Sequence, residues 1–160
     1  MANMFLALSN IPGESCDHQH AGEIEIHDWE WGVTNAAPYR LEAEDAAKQT
    51  VIHHLTIHKV FDKASVTLMN YCTTGRKIEH GEITCRKNDG DNQVEFLKIM
   101  LTGVKVDAVN WSLKGEEFRG RPETVELSFF HFKMIYETQI NDGSLSGKSE
   151  FEHDIPKDKV

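Results

Sequence analysis

Apolar residues recur at every second position over most of the chain. Val94, Phe96, Met100, Val104 and Val106 fall on one parity, and Leu97, Ile99 and Leu101 on the other. A long strand buried on both faces for part of its length gives this pattern. The same doubling recurs near the end, where Val125, Leu127 and Phe129 alternate with Phe130, Phe132, Met134 and Tyr136. A third strand is expected from Ile78 to about Lys87. It is joined to the Val94 strand by Asn88-Asp89-Gly90-Asp91-Asn92, a hairpin turn because Asp-Gly readily takes positive φ. One segment reads as helix. Asp62 or Ser65 can cap it, Leu68, Met69 and Cys72 share a face, and Gly75 stops it.

One short helix among long strands predicts a mainly β fold, an antiparallel β-barrel with the helix packed on its side. A single domain is expected over residues 1–160, with a loosely held polar tail from about residue 141. Residues 35–50 read as a long excursion between strands, and residues 112–122 as a second loop. Ile24 and Ile26 share one parity while Trp29 and Trp31 share the other. A β-bulge near His27-Asp28 would bring all four onto one side.

Charge removes several function classes. The formal net charge is −9 and no basic cluster occurs. Nucleic acid is therefore a poor partner, because its binding relies on neutralising phosphates, and anionic membranes are poor for the same reason. No apolar run reaches eighteen residues, so no transmembrane helix is expected. The first cationic side chain is Arg40, so the apolar start lacks the positive region of a secretory signal. Cys16, Cys72 and Cys85 are odd in number and irregularly spaced, which predicts free thiols in a reducing cytoplasm.

Candidate chemistry centres on His18-Gln19-His20, followed by Glu25. Alternating histidines on a strand share a face and can share a metal. Gly13, His18, His20, Glu25 and Gly32 resemble the first motif of the cupins, with four residues in the first gap where that motif has five. The second cupin motif requires Pro-x-Gly, which this chain lacks. A cupin-like metal enzyme using His18, His20 and Glu25 is thus the alternative reading. His53, His54 and His58 lie in a β-branched run. On a strand, His54 and His58 would stand about 13 Å apart, too far for one zinc ion, so they read as surface or interface histidines. No phosphate-binding loop occurs, and Gly143-Ser144-Leu145-Ser146-Gly147 has leucine where a nucleophile elbow needs serine. Cys16 and His18 fall in a loop, where an oriented catalytic pair is not expected.

Strands apolar on both faces exceed what one helix can cover, and a ring of copies would cover the remainder. The ordered motifs then resemble the haemolysin-coregulated protein (Hcp) family of bacterial type VI secretion systems. The carrying residues are Gly13-Glu14-Ser15 with the histidine loop, Ile24-x-Ile26, Trp29-Glu30-Trp31-Gly32, His58 through Ser65 leading into the helix, the hairpin from Arg86 to Leu97, the strand from Thr124 to Tyr136, and Phe151 to Ile155. The resemblance implies a homohexameric ring stacked into the inner tube of a contractile machine. The implied partners are further copies of the chain, spike and sheath proteins, and effector proteins in the lumen. It implies no enzyme activity, catalytic residue, cofactor or metal. It also implies residence in the cytoplasm before export, then secretion without a cleaved signal peptide. Glu30 becomes a lumen-facing candidate whose carboxylates would bias cargo toward basic surfaces. Tyr39, Arg40 and Leu41, in the 35–50 excursion, become inter-subunit candidates.

Overall fold

A computed structural model describes residues 3–111, 121–139 and 145–156. Among the described residues eleven strands and two helices occur in this order: β1 (Met4–Leu8), β2 (Ile24–Glu25), β3 (Asp28–Glu30), β4 (Val33–Asn35), α1 (Ala43–Ala47), β5 (Thr50–Ile52), β6 (Leu55–Val60), α2 (Lys63–Thr74), β7 (Lys77–Asp89), β8 (Asn92–Trp111), β9 (Pro122–Ser128), β10 (His131–Gln139) and β11 (Leu145–Asp154). The alternating runs are the strands β7 to β10, and every pairing is antiparallel.

The main sheet runs β2-β1-β7-β8-β9-β6-β3, with β10 also on β8 and β11 on β10. Its two ends, β2 and β3, are consecutive in sequence. Ile26 N donates to Met4 O at 3.1 Å, and the next residue, His27, donates from its N to His58 O at 2.8 Å. The face switch near His27-Asp28 is therefore a change of partner strand rather than a bulge. No ladder joins β2 to β3 side by side among the described residues, so the pairings describe a mainly antiparallel sheet and not the closed barrel expected from the sequence.

β8 serves two sets of neighbours. It lies between β7 and β10 over Leu97 to Thr102, and pairs with β9 from Lys105 onward. The corner is Gly103, at φ +67°, where an added Cβ would lie 1.8 Å from a ring atom of Phe130. Only glycine tolerates both this backbone and this approach. The core between the layers includes Leu6, Ile57, Leu68, Ile83, Ile99 and Leu127, each no more than 1% exposed. Burial of these side chains supplies the main driving force for the fold.

Both predicted caps of α2 are used. Asp62 Oδ1 accepts from Ala64 N at 2.9 Å, and Ser65 Oγ accepts from Asp62 N at 3.0 Å, a reciprocal box. The buried face is Ala64, Ser65, Leu68 and Tyr71, with Met69 and Cys72 at its margin. Beneath it lies a buried ionic cluster. Four acceptors surround Lys59 Nζ and share its three N–H groups: Glu123 Oε1 at 3.0 Å, Asp62 Oδ1 at 2.9 Å, Ser65 Oγ at 3.1 Å and Val60 O at 2.9 Å. Trp111 Nε1 donates to Glu123 Oε2 at 2.6 Å.

Two other expectations change. A second helix, α1, lies inside the 35–50 excursion and buries none of its residues, so no large apolar side chain marks it. The segment expected as a loose tail supplies β11, paired with β10 from His131↔Asp154 to Glu137↔Lys148. Its polar side chains suit an edge strand held through its backbone. The loop read over residues 112–122 lies outside the described residues except for Arg121 and Pro122. Among the described residues, no helix is long and apolar enough to cross a membrane.

Candidate assembly surface

Four strands form a distinct surface: β3, β6, β9 and the half of β8 beyond Gly103. Cross-strand register sets two rows on it. One is Asp28-His58-Thr124-Asn110 and the next is Glu30-Thr56-Glu126-Ala108. The intervening row, Trp29-Ile57-Val125-Val109, turns to the core, because successive strand residues face opposite ways. The outward rows are polar and half-buried to exposed. Glu30 is 73% exposed and its Oε1 lies 3.6 Å from His58 Nε2. Glu126 has no ion pair among the described residues. Among the described residues both outer edges are open there as well: β3 pairs only with β6, and β8 beyond Lys105 only with β9.

The 35–50 excursion is an arm on a two-stranded ribbon. β4 and β5 pair from Val33↔Ile52 to Asn35↔Thr50. At the root, His53 N donates to Gly32 O at 3.0 Å and Trp31 Nε1 to His53 O at 3.0 Å. At the waist, Asn35 Nδ2 donates to Ala46 O at 2.8 Å and Thr50 Oγ1 at 3.2 Å. The arm therefore presents a shaped tip. Tyr39 and Arg40 are exposed there, and Leu41 is 38% exposed.

The opening histidines do not converge. Residues 12–23 form no strand, so the alternation that would put His18 and His20 on one face does not apply. His18 and Glu25 are exposed while His20 is buried. Both ring nitrogens of His20 already face carboxylates, Nδ1 to Glu23 Oε2 and Nε2 to Glu95 Oε1, each at 2.9 Å. Among the described residues no group of three His, Cys, Asp or Glu side chains has metal-binding geometry. The cupin-like reading thus has no support. His53, His54 and His58 have separate partners, respectively Thr34 Oγ1 at 3.1 Å, Asp107 Oδ2 at 2.8 Å and Glu30. The cysteines are free. Burial pushes the Cys85 thiol pKa up, which disfavours the reactive thiolate.

Two features escaped sequence reading. Arg86 makes a two-pronged pair with Asp17, Nη1–Oδ1 at 3.1 Å and Nη2–Oδ2 at 2.8 Å. Lys59 sits on the inward parity of β6 with Leu55 and Ile57, and that parity was the available signal. On β8, burial presses the Lys98 pKa down, but its contact with Glu95 outweighs this and holds it above the ordinary value.

A family described as "Type VI secretion system effector, Hcp" matches residues 5–136. The chain belongs to the Hcp family. It is 33% identical to Protein hcp1 of Pseudomonas aeruginosa over 145 residues, covering 91% of this chain and 89% of that one. The crystal structure of Hcp1 from Salmonella typhimurium is 30% identical with a TM-score of 0.74, covering 96% and 95% of the two chains. A structure described as a type six secretion system protein superimposes at a TM-score of 0.86 with 22% identity and 96% coverage of both chains, which speaks for the fold alone. The family resemblance read from the ordered motifs therefore holds.

Proposed function

We propose that six copies form a ring and that rings stack into the inner tube of a type VI secretion machine, with no enzymatic role. The observation that carries this reading is the four-stranded surface with two open edges and one polar face. Open edges favour pairing with further strands, and a heterologous contact that closes leaves none exposed. In the ring, β3 of one copy approaches the free edge of β8 in the next. The polar face then lines the lumen, with Glu30 pointing into it, and the sheet together with the Ile26-His27 link acts as the barrel wall. The arm reaches a neighbouring subunit or ring through Tyr39, Arg40 and Leu41. Effectors in the lumen, a spike at the tip and a surrounding sheath are the further partners, and the subunit is exported with the tube.

Native mass spectrometry tests the reading. Six copies of the 18.2 kDa chain give about 109 kDa, and a metal-free species at that mass is expected. A monomer or dimer carrying one metal per chain would overturn it.

A further inference from the structure

Residues 11–23 form a strap beside β1. Its backbone closes into a loop, Gly13 N donating to Gly22 O and Gly22 N to Ser15 O, each at 2.8 Å. Asp17 pins it to Arg86 on β7 at 2.8 Å. Between the strap and the tip of the β7–β8 hairpin runs a groove of about 1160 Å3, walled by Cys16, His18, Glu25, His27, Asp91 and Asn92. The chain leaves this groove at His27, follows β3 and reaches the root of the arm at Gly32. β8 also starts at the groove, and its first half ends at Gly103, on the arm's side of the fold. There Phe130 N donates to Thr102 O, and Trp31 packs edge-on against Phe129 and Phe132, with ring centres 5.6 and 4.8 Å apart. Groove and arm root therefore stand at opposite ends of both strands.

The arm is unfinished on its own. A two-stranded ribbon is marginally stable in water, and Val33 on β4 and Val51 on β5 are each 52% exposed. At its tip Tyr39 is fully exposed, and Arg40 has no ion pair among the described residues. Tyrosine and arginine are enriched among the side chains that anchor protein contacts. The groove carries the matching charge. Asp17 is committed to Arg86, but Glu25 and Asp91 are exposed and have no ion pair among the described residues. The groove is also larger than the roughly 300–1,000 Å3 of small-molecule pockets, so it suits a protein segment better.

We infer that the groove is the seat for the arm of a second copy in the next ring, with Arg40 between Glu25 and Asp91 and Tyr39 against the strap. This seat presupposes the ring proposed above. Two different patches at opposite ends of one chain make a head-to-tail contact, which repeats without closing and so builds a stack. A face-to-face contact needs one self-complementary patch, and neither the acidic groove nor the cationic tip matches itself.

Pro38→Cys tests the seat, because it leaves Tyr39, Arg40 and Leu41 in place and Cys16 already stands exposed at the groove. The intact protein is treated with a short bis-maleimide, and the linked peptides are identified by mass spectrometry. Position 38 of one copy should link to Cys16 of another. On a denaturing gel the ladder should continue past six chains, since links within one ring stop at six. Adding Arg40→Glu should cut this linkage roughly tenfold, because an exposed pair worth only a few-fold alone is reversed and repeats around the ring. Adding Glu25→Lys and Asp91→Lys as well should recover it. Native mass spectrometry of the same sample separates the two ways of failing. No species near 109 kDa refutes the ring itself. A ring without the 16–38 link, a ladder that stops at six, linkage indifferent to Arg40→Glu, or no recovery with the lysines would overturn the seat and leave the ring standing.

Discussion

Replacing Lys59 with methionine tests the ionic cluster beneath α2. The lysine side chain and Glu123 are both fully buried, and Asp62 is 10% exposed. Methionine fills the volume of the stem but offers no donor. Glu123 keeps Trp111 Nε1 on Oε2 and loses the cation on Oε1, and Asp62 keeps Ala64 N. A buried carboxylate stripped of its partner costs roughly 3–5 kcal/mol. At about 2–4 °C per kcal/mol for a chain of this size, Tm should fall by roughly 6–20 °C. Urea denaturation followed by far-UV circular dichroism measures the loss. Protein concentration is held fixed, because assembly makes apparent stability depend on it. The paired variant Lys59→Met/Glu123→Leu removes both charges and should recover most of the loss, since apolar replacement of a buried pair is often close to neutral. A single variant within about 1 kcal/mol of the parent would refute the reasoning. So would a double variant no more stable than the single.

Gly103→Ala should cost roughly 2–4 kcal/mol by combining a left-handed backbone penalty with overpacking against Phe130. Denaturation midpoints should show it, and Phe130→Ala should relieve only the packing part. The Asp17 pKa of about 2, against an ordinary 3.8, makes its pair with Arg86 fully stabilising above about pH 4 and lost as pH falls through 2. The stability gap between the parent and Asp17→Asn should therefore narrow on acidification, and a gap constant from pH 4 to pH 2 would contradict the assignment. Deleting residues 40–47 removes α1, which buries none of its residues. It should leave the sheet folded while weakening ring stacking, so long tubes seen by electron microscopy would count against the arm's role. Glu30→Lys should lower retention of basic cargo in a co-purification assay, and unchanged retention would reject the lumen position.

The long strands were legible because burial on alternate faces writes a period of two into the chain. α2 was legible because Asp62, Ser65 and Gly75 mark its ends. What failed depended on distant partners or on having none. His20 looked like half of a metal site, and only Glu95, seventy-five positions away, shows that its second nitrogen is occupied. α1 rests on no core, and the alanines at 43, 46 and 47 that share one of its faces are too small to mark it in the sequence. β11 reads as tail because its residues from Gly147 to Glu152 are exposed, and the backbone bonds that hold it have no sequence signature. The hand-over between His27 and His58 looked like a parity slip, since a switch of partner and a bulge leave the same trace in one strand. The polar rows around Glu30 could be placed on one face from parity, but their two open edges required the whole strand order.

The strand order also sets a timetable. β1 has to wait for β7 to find its partner at Thr84, and β6 has to wait for β9 and Leu127. At about 5–20 residues per second, ribosomal synthesis leaves β6 unpaired on that side for several seconds after it emerges. During that interval Leu55 and Ile57, fully buried in the finished fold, have no core to enter. Sequence-distant pairings of this kind slow folding and prolong exposure to aggregation. The nascent N-terminal half thus keeps these apolar strands without their final partners until the last third of the sequence arrives, the condition in which incompletely folded chains aggregate.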